Sequence, residues 1–195
     1  MKKIFLTTFI LLLADQTLKV WVKTNMFLGQ EFQILDWFII HFTENNGMAF
    51  GIEFGGHTGK TLLTLIRIIV VAFGIKYISL LDKTKFPNGS LIALGLIIGG
   101  AIGNIIDSSF YGLIFNESYN NIAVFMPESG GYSSLLHGKV VDMFYFPLIN
   151  SHFPDWLPIL GGNHFIFFRP VFNIADAGIS VGIFMILLFY RKEFS

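Results

Sequence analysis

Four long apolar runs divide the chain, at about residues 4–22, 62–81, 90–107 and 172–190, each long enough to predict a helix that crosses a bilayer. Basic residues mark their ends: Lys2 and Lys3 before the first, Lys83 and Lys85 between the second and third, Arg191 and Lys192 after the fourth. An even number of spans puts these clusters on one side, so both termini are expected in the cytoplasm. Two long segments, about 23–60 and 108–171, then lie outside. Within the first, Glu31–Phe42 partly alternates and is rich in β-branched and aromatic residues, which predicts one or two strands at the membrane surface. The second mixes Asn, Gly, Ser and Pro, as a cap or lid does. Residues 82–89, with Pro87 and Asn88-Gly89, predict a short helix–helix turn.

The polar positions inside the apolar runs carry more information than the runs themselves. Asp15, Asp107 and Asp176 interrupt three of them, and Asp142 interrupts the apolar stretch Val140–Phe144. A carboxylate at a helix centre costs about 2.5–3.5 kcal/mol on insertion, so each must face a partner, water or a polar interior. At a rise of about 1.5 Å per residue, Asp15 lies about 18 Å from Lys3, Asp176 about 22 Å from Arg191, and Asp107 about 26 Å from the start of its helix. In a hydrocarbon core about 30 Å thick, all three fall in the outer third. Each acid alone could snorkel or cap a helix end; three at one depth point to a shared buried acidic site.

Composition narrows the class. The chain is 53% hydrophobic and 13% charged with a mean hydropathy of +0.65, too apolar to cover a water-soluble globule. A net charge of +0 argues against a nucleic-acid partner. The 23 Phe suit lipid contact, and membrane lipids are expected partners. With no cysteine, disulfides, thiolate metal sites and a Cys nucleophile are excluded. The five histidines lack ligand spacing, so no metal and no cofactor is expected. Lys2-Lys3 and the apolar run to Ala14 also have the look of a signal peptide, but Asp15-Gln16 ends that run without a small-x-small cleavage pattern, so a retained helix is expected. Gly95, Gly99, Gly100 and Gly103, and Gly178 with Gly182, predict close-packing helix faces. One integral membrane domain over 1–195 is expected.

Local order around the polar residues is specific. Asp15-Gln16-x-x-Lys19 places opposite charges one turn apart. It is followed by Asn45-x-Gly47-x-Ala49-Phe50, Gly103-Asn104-x-x-Asp107, Val140-Val141-Asp142 and Phe172-Asn173-x-Ala175-Asp176. In these motifs and their order the chain resembles the lipoprotein signal peptidases, the bacterial signal peptidase II family, over nearly its whole length. The resemblance implies an α-helical integral membrane protein with four transmembrane helices and a small external β-cradle with loop insertions. It implies an aspartic endopeptidase of the inner membrane, with Asp142 and Asp176 as catalytic dyad. Its substrates would be prolipoproteins carrying diacylglyceryl-cysteine, and a monomer is expected.

The residues fit that chemistry independently. Two close carboxylates sharing a proton supply an acid and a base for peptide hydrolysis, and they titrate as a coupled unit. Asp176 opens a helix, where the macrodipole favours the charged form, so Asp142 is expected to hold the shared proton. Asn104 and Asn173 are expected to orient the dyad or hold substrate backbone. Asn45 and Gly47 are expected to line the cradle, Asp15 and Lys19 to brace helix one, and Asp107 to hold the outer end of helix three. One position departs from the family pattern: Ser108 stands where relatives place Arg, so another cation, such as Lys139 or Arg169, is expected to replace it. Two other classes use intramembrane acids or small-residue faces: an ion-coupled transporter, which commonly shows internal repeats and broken spans, and a non-catalytic assembly factor, which has no use for an Asp pair.

Overall fold

The computed structural model describes residues 1–46 and 56–194, so Gly47, Ala49 and Phe50 of the second motif lie outside the described residues. Helix α1 spans Lys2–Asn25, β1 Glu31–Leu35, β2 Phe38–Asn45, α2 Gly56–Leu80 and α3 Asn88–Ile106. Strands β3 (Val140–Tyr145), β4 (Ile149–His152), β5 (His164–Phe167) and β6 (Val171–Phe172) precede α4, Ile174–Phe189. Three helices are long and apolar enough to cross a membrane: α1, α2 and α3 with its continuation to Ile114. The run expected as a fourth span is the shorter apolar helix α4, of 16 residues.

The third helix does not stop at Asp107 as its sequence suggests. It passes into a π-helical turn, Asp107–Tyr111, and one last helical turn, Gly112–Ile114. Ser108 and Ser109, polar residues just past the expected end at Asp107, are both buried. The returning loop accounts for this, because Gly138 N donates to the Ser108 carbonyl at 2.9 Å and Leu136 N to the Ser109 carbonyl at 3.0 Å. A widened turn of this kind leaves carbonyls free for outside partners. The fourth apolar run also begins later than its hydropathy suggests, since Val171-Phe172 pair with β3 and helix starts only after Asn173.

Helix α3 sits at the centre, packed chiefly on α1 and α4, with α2 at the edge. Its small residues permit this. A Cβ on Gly100 would lie 2.2 Å from the Ala175 carbonyl oxygen, and one on Gly103 would lie 2.8 Å from Asp15 Oδ2. On α4, a Cβ at Gly182 would lie 2.7 Å from the Ala93 carbonyl. The predicted glycine faces are therefore contact faces.

Outside the bundle, an antiparallel sheet runs β1-β2-β3-β6, and β4-β5 form a separate hairpin. Pairing of Thr43 with Asp142 and of Asn45 with Val140 puts Asn45 and Asp142 on one face, because side chains alternate along each strand. The opposite face carries Phe42, Val141 and Met143, which form a buried core with Val22 and Met26 of α1, Tyr111, Phe115 and Ala123. The sheet thus has an apolar side resting on the end of α1 and a polar side turned to the helix ends.

Gly100→Ala should lower the melting temperature in detergent, since overpacking a fitted contact costs about 1–3 kcal/mol. Gly74→Ala, with nothing within 4 Å of the added carbon, should leave it unchanged or raise it. Equal melting of both variants would contradict the close approach of α3 to α4.

Candidate active site

At the centre of the bundle is one buried ammonium. Lys19 Nζ lies 2.9 Å from Asp15 Oδ2 and 2.8 Å from Asp107 Oδ2, and none of the three side chains is more than 1% exposed. The i,i+4 spacing on α1 makes the first pair, while Gly103 leaves room for Asp15 against α3. Two carboxylates against one ammonium leave a surplus negative charge, and further donors meet it. Ala175 N, in the first turn of α4, donates to Asp15 Oδ1 at 2.9 Å, where the positive helix end also favours an anion. Gln16 Nε2 donates to Asp107 Oδ1 at 2.9 Å and to Asp15 Oδ2 at 3.1 Å, and Val141 N donates to Asp107 Oδ2 at 3.3 Å. The cluster therefore ties α1, α3, α4 and β3 together at one depth.

Asn104 carries the cluster outward. Its Oδ1 accepts from Lys19 Nζ at 2.9 Å, and its Nδ2 donates to Asp176 Oδ1 at 2.7 Å. Asp176 is in turn part of a capping box. Its backbone N donates to Asn173 Oδ1 at 2.9 Å, while its Oδ2 accepts from Asn173 N at 3.4 Å. The residues that start α4 are thus the ones that aim the Asp176 carboxylate. Asn173 Nδ2 donates to Asp142 Oδ1 at 2.6 Å and also to Asn104 Oδ1 at 3.2 Å. From the other side, Asn45 Nδ2 donates to Asp142 Oδ2. Asp142 and Asp176 therefore share Asn173 as a common partner.

Every expected site residue that falls among the described residues joins this network: Asp15, Lys19, Asn45, Asn104, Asp107, Asp142, Asn173 and Asp176. Gly47 lies outside the described residues. Asp107 does more than hold a helix end, since it is a partner of Lys19 and of the β3 backbone. Of the replacement cations expected for Ser108, Lys139 is corrected. Lys139 precedes Asp142 by three positions, so strand alternation turns it to the opposite face, where it meets Glu44 at 3.4 Å and Glu117 at 3.5 Å. Arg169 is exposed and in no ion pair among the described residues. Arg67, on α2, is a cation within electrostatic reach of Asp176. It was legible by the same signal as the aspartates, a charge within an apolar span.

The two acids differ in setting. Burial, and then the negative charge of Asp176, push the Asp142 carboxyl up to about 7, although hydrogen bonds from Asn45 and Asn173 and the charge of Lys19 pull the other way. The Asp142 carboxyl is therefore about half protonated near neutral pH and increasingly so below it, beside a second carboxylate. Two carboxylates in such a frame can serve as an acid and a base.

The comparisons with known proteins agree on what this frame belongs to. The family model described as signal peptidase (SPase) II matches residues 7–191. Lipoprotein signal peptidases from two strains of Porphyromonas gingivalis are each 51% identical over 187 residues, 95% of this chain and 81% of the relative. The lipoprotein signal peptidase of Amoebophilus asiaticus is 42% identical over 183 residues, 92% of this chain and 73% of the relative. Two solved structures described as bacterial membrane enzymes, determined by the in meso method, share the fold. One has a TM-score of 0.61 at 23% identity, covering 100% of this chain and 91% of the other; the second has a TM-score of 0.59 at 24% identity, covering 96% and 92%. The chain is a multi-pass membrane protease. It belongs to the signal peptidase II family, whose members remove signal peptides from prolipoproteins.

If Asp142 must carry the proton, kcat/KM should fall about tenfold per pH unit above a limb near 7, because the protonated fraction is lost as pH rises through that value. A profile flat from pH 6 to 9 would contradict the assignment of the proton to Asp142.

Proposed function

We propose that Asp142 and Asp176 are the catalytic dyad of an aspartic endopeptidase acting at the outer face of the bacterial inner membrane. The observation that carries this reading is the meeting of both carboxylates on Asn173, which bonds Asp142 through Nδ2 and caps the helix turn of Asp176. In this reading Asp176 is the base. It takes a proton from water as that water attacks the scissile carbonyl, and Asp142 gives its proton to the carbonyl oxygen. The C–N bond then breaks, with the proton on Asp176 passing to the leaving amine and a proton of the diol returning to the dyad.

The other site residues form the supporting frame. Asn104 and Asn173 orient the dyad, Asp15, Lys19 and Asp107 hold the helices that carry it, and Asn45 lines the cradle. No metal or cofactor is required for this chemistry. α4 is read as the fourth span, and both termini are cytoplasmic by the position of Lys2, Lys3, Lys83, Lys85, Arg191 and Lys192. All of 1–195 then forms one peptidase domain, acting as a monomer on prolipoproteins whose cysteine carries a diacylglyceryl group. The exposed apolar residues of β1 and the turn after it, Phe32, Ile34, Leu35 and Trp37, support contact with lipid or with acyl chains.

Asp142→Asn and Asp176→Asn should each lower cleavage of a diacylglyceryl-modified prolipoprotein by at least about 10²-fold, with the protein still inserted in the membrane. Cleavage at the wild-type rate by either variant would reject the dyad.

A further inference from the structure

Strand β2 ends in two consecutive polar residues, Glu44 and Asn45, which alternation sends to opposite faces of the sheet. Asn45 reaches Asp142. Glu44 turns the other way, into the core beneath the sheet, where its side chain is 2% exposed. There it accepts from Lys23 Nζ, an ammonium in the last turn of α1 that is itself 1% exposed. Ser118 Oγ joins both, accepting from Lys23 Nζ at 3.0 Å and donating to Glu44 Oε1 at 3.3 Å. Lys139 Nζ approaches Glu44 Oε2 at 3.4 Å. Three aromatic rings close the pocket around Lys23, with its Nζ 5.0 Å from the centroid of Tyr132, 5.4 Å from Phe115 and 5.9 Å from Phe42.

Most of this pocket comes from the external insertion. Ser118, Tyr132 and Lys139 all lie on the stretch between the last turn of α3 and β3, which is stitched to the end of α1 by backbone bonds. Leu28 N donates to the Ser118 carbonyl at 2.9 Å, and Ala123 N to the Lys23 carbonyl at 3.1 Å. Lys139 N donates to Tyr132 Oη at 2.6 Å. Apolar residues of similar volume would hold these layers together at least as well, so a buried ion pair here adds definition rather than strength. What it defines is the position of Glu44, and the next residue along the same backbone holds Asp142.

We propose that Lys23 and the 115–139 insertion form a positioning device for the dyad, clamping Glu44 on one face of β2 so that Asn45 stays on Asp142 on the other. Lys23 and Glu44 touch no reacting atom; they act through Asn45. The proposal rests on the dyad reading above and assigns the insertion its role.

The test follows the alkaline limb of kcat/KM. The groups that face Asp142 are Asp176 and Asn173 of the α4 start, Lys19 of α1, Asn45 of β2, and, through the Val141 amide, Asp107 of the π-turn. Asn45 favours the ionised form, so its loss moves the limb up. Asn45→Ala should move it by about one pH unit, the size of one hydrogen bond to a charged group. The pair variant Lys23→Met/Glu44→Leu leaves neither buried charge unpaired and the net charge unchanged. It should move the limb upward by a similar amount, and in the Asn45→Ala background it should add nothing.

If Asn45→Ala leaves the limb in place, the device is overturned, while the dyad reading falls separately, on wild-type cleavage by Asp142→Asn. If Asn45→Ala moves the limb while the pair variant keeps the wild-type profile, or if the shifts add, the device alone is overturned. Thermal melting in detergent establishes that the pair variant is folded. Should it not be, Ser118→Ala, which removes only the bridging hydroxyl, must move the limb in the same direction, and an unchanged profile there overturns the device.

Discussion

A buried ammonium between two carboxylates organises this molecule. Lys19 would be prohibitively costly in an apolar bundle alone, and so would Asp15 or Asp107. Together, with the α4 helix end and Gln16 absorbing the surplus charge, they become a joint that ties α1, α3 and α4. Removing one member of such a set typically costs about 3–5 kcal/mol, because the survivors stay buried without their partner.

From that joint the order passes outward by single hydrogen bonds. Asn104 takes it from Lys19 to Asp176, Asn173 from Asp176 to Asp142, and Asn45 completes the hold from the sheet. Amides suit this task because each offers both a donor and an acceptor and remains neutral. A charged linker would bias one carboxylate strongly, whereas an amide orients it and leaves its proton free to move. The π-turn serves the same end. By widening after Asp107 it frees carbonyls for the returning loop, which brings Lys139 and then β3 into place.

Much of the site was legible because charge inside an apolar run is costly and must be answered. Asp15, Asp107 and Asp176 were visible by depth alone, whereas Asn45, Asn104 and Asn173 stood out through the motifs that carry the family resemblance. Strands β1 and β2 were visible through alternation, whereas β3 looked like a plain apolar stretch, β4 and β5 lay in a segment read as loop, and β6 was hidden inside the apolar run that continues into α4. The π-turn was hidden too, since Ser108-Ser109 looks like the end of a helix until the loop that satisfies its carbonyls is folded over it. Arg67 carried the same signal as the aspartates, a charge in an apolar span. Lys23 and Glu44 carried none: each looked like an ordinary flank residue, and their burial is created by an insertion some seventy positions or more further along, from Ser118 onward. Residues whose environment is built by distant chain are the ones local pattern cannot find.

The central claim is that the buried charge cluster orients the proposed catalytic pair, and Asn104 is the side chain that touches both Lys19 and Asp176. The direct measurement is kcat for prolipoprotein cleavage by Asn104→Leu, a near-isosteric change that removes the link and leaves the three charges of the cluster in place. Hydrogen bonds to charged groups are worth about 1.5–3 kcal/mol, so kcat should fall by about 10- to 100-fold. A wild-type kcat in that variant would contradict the account.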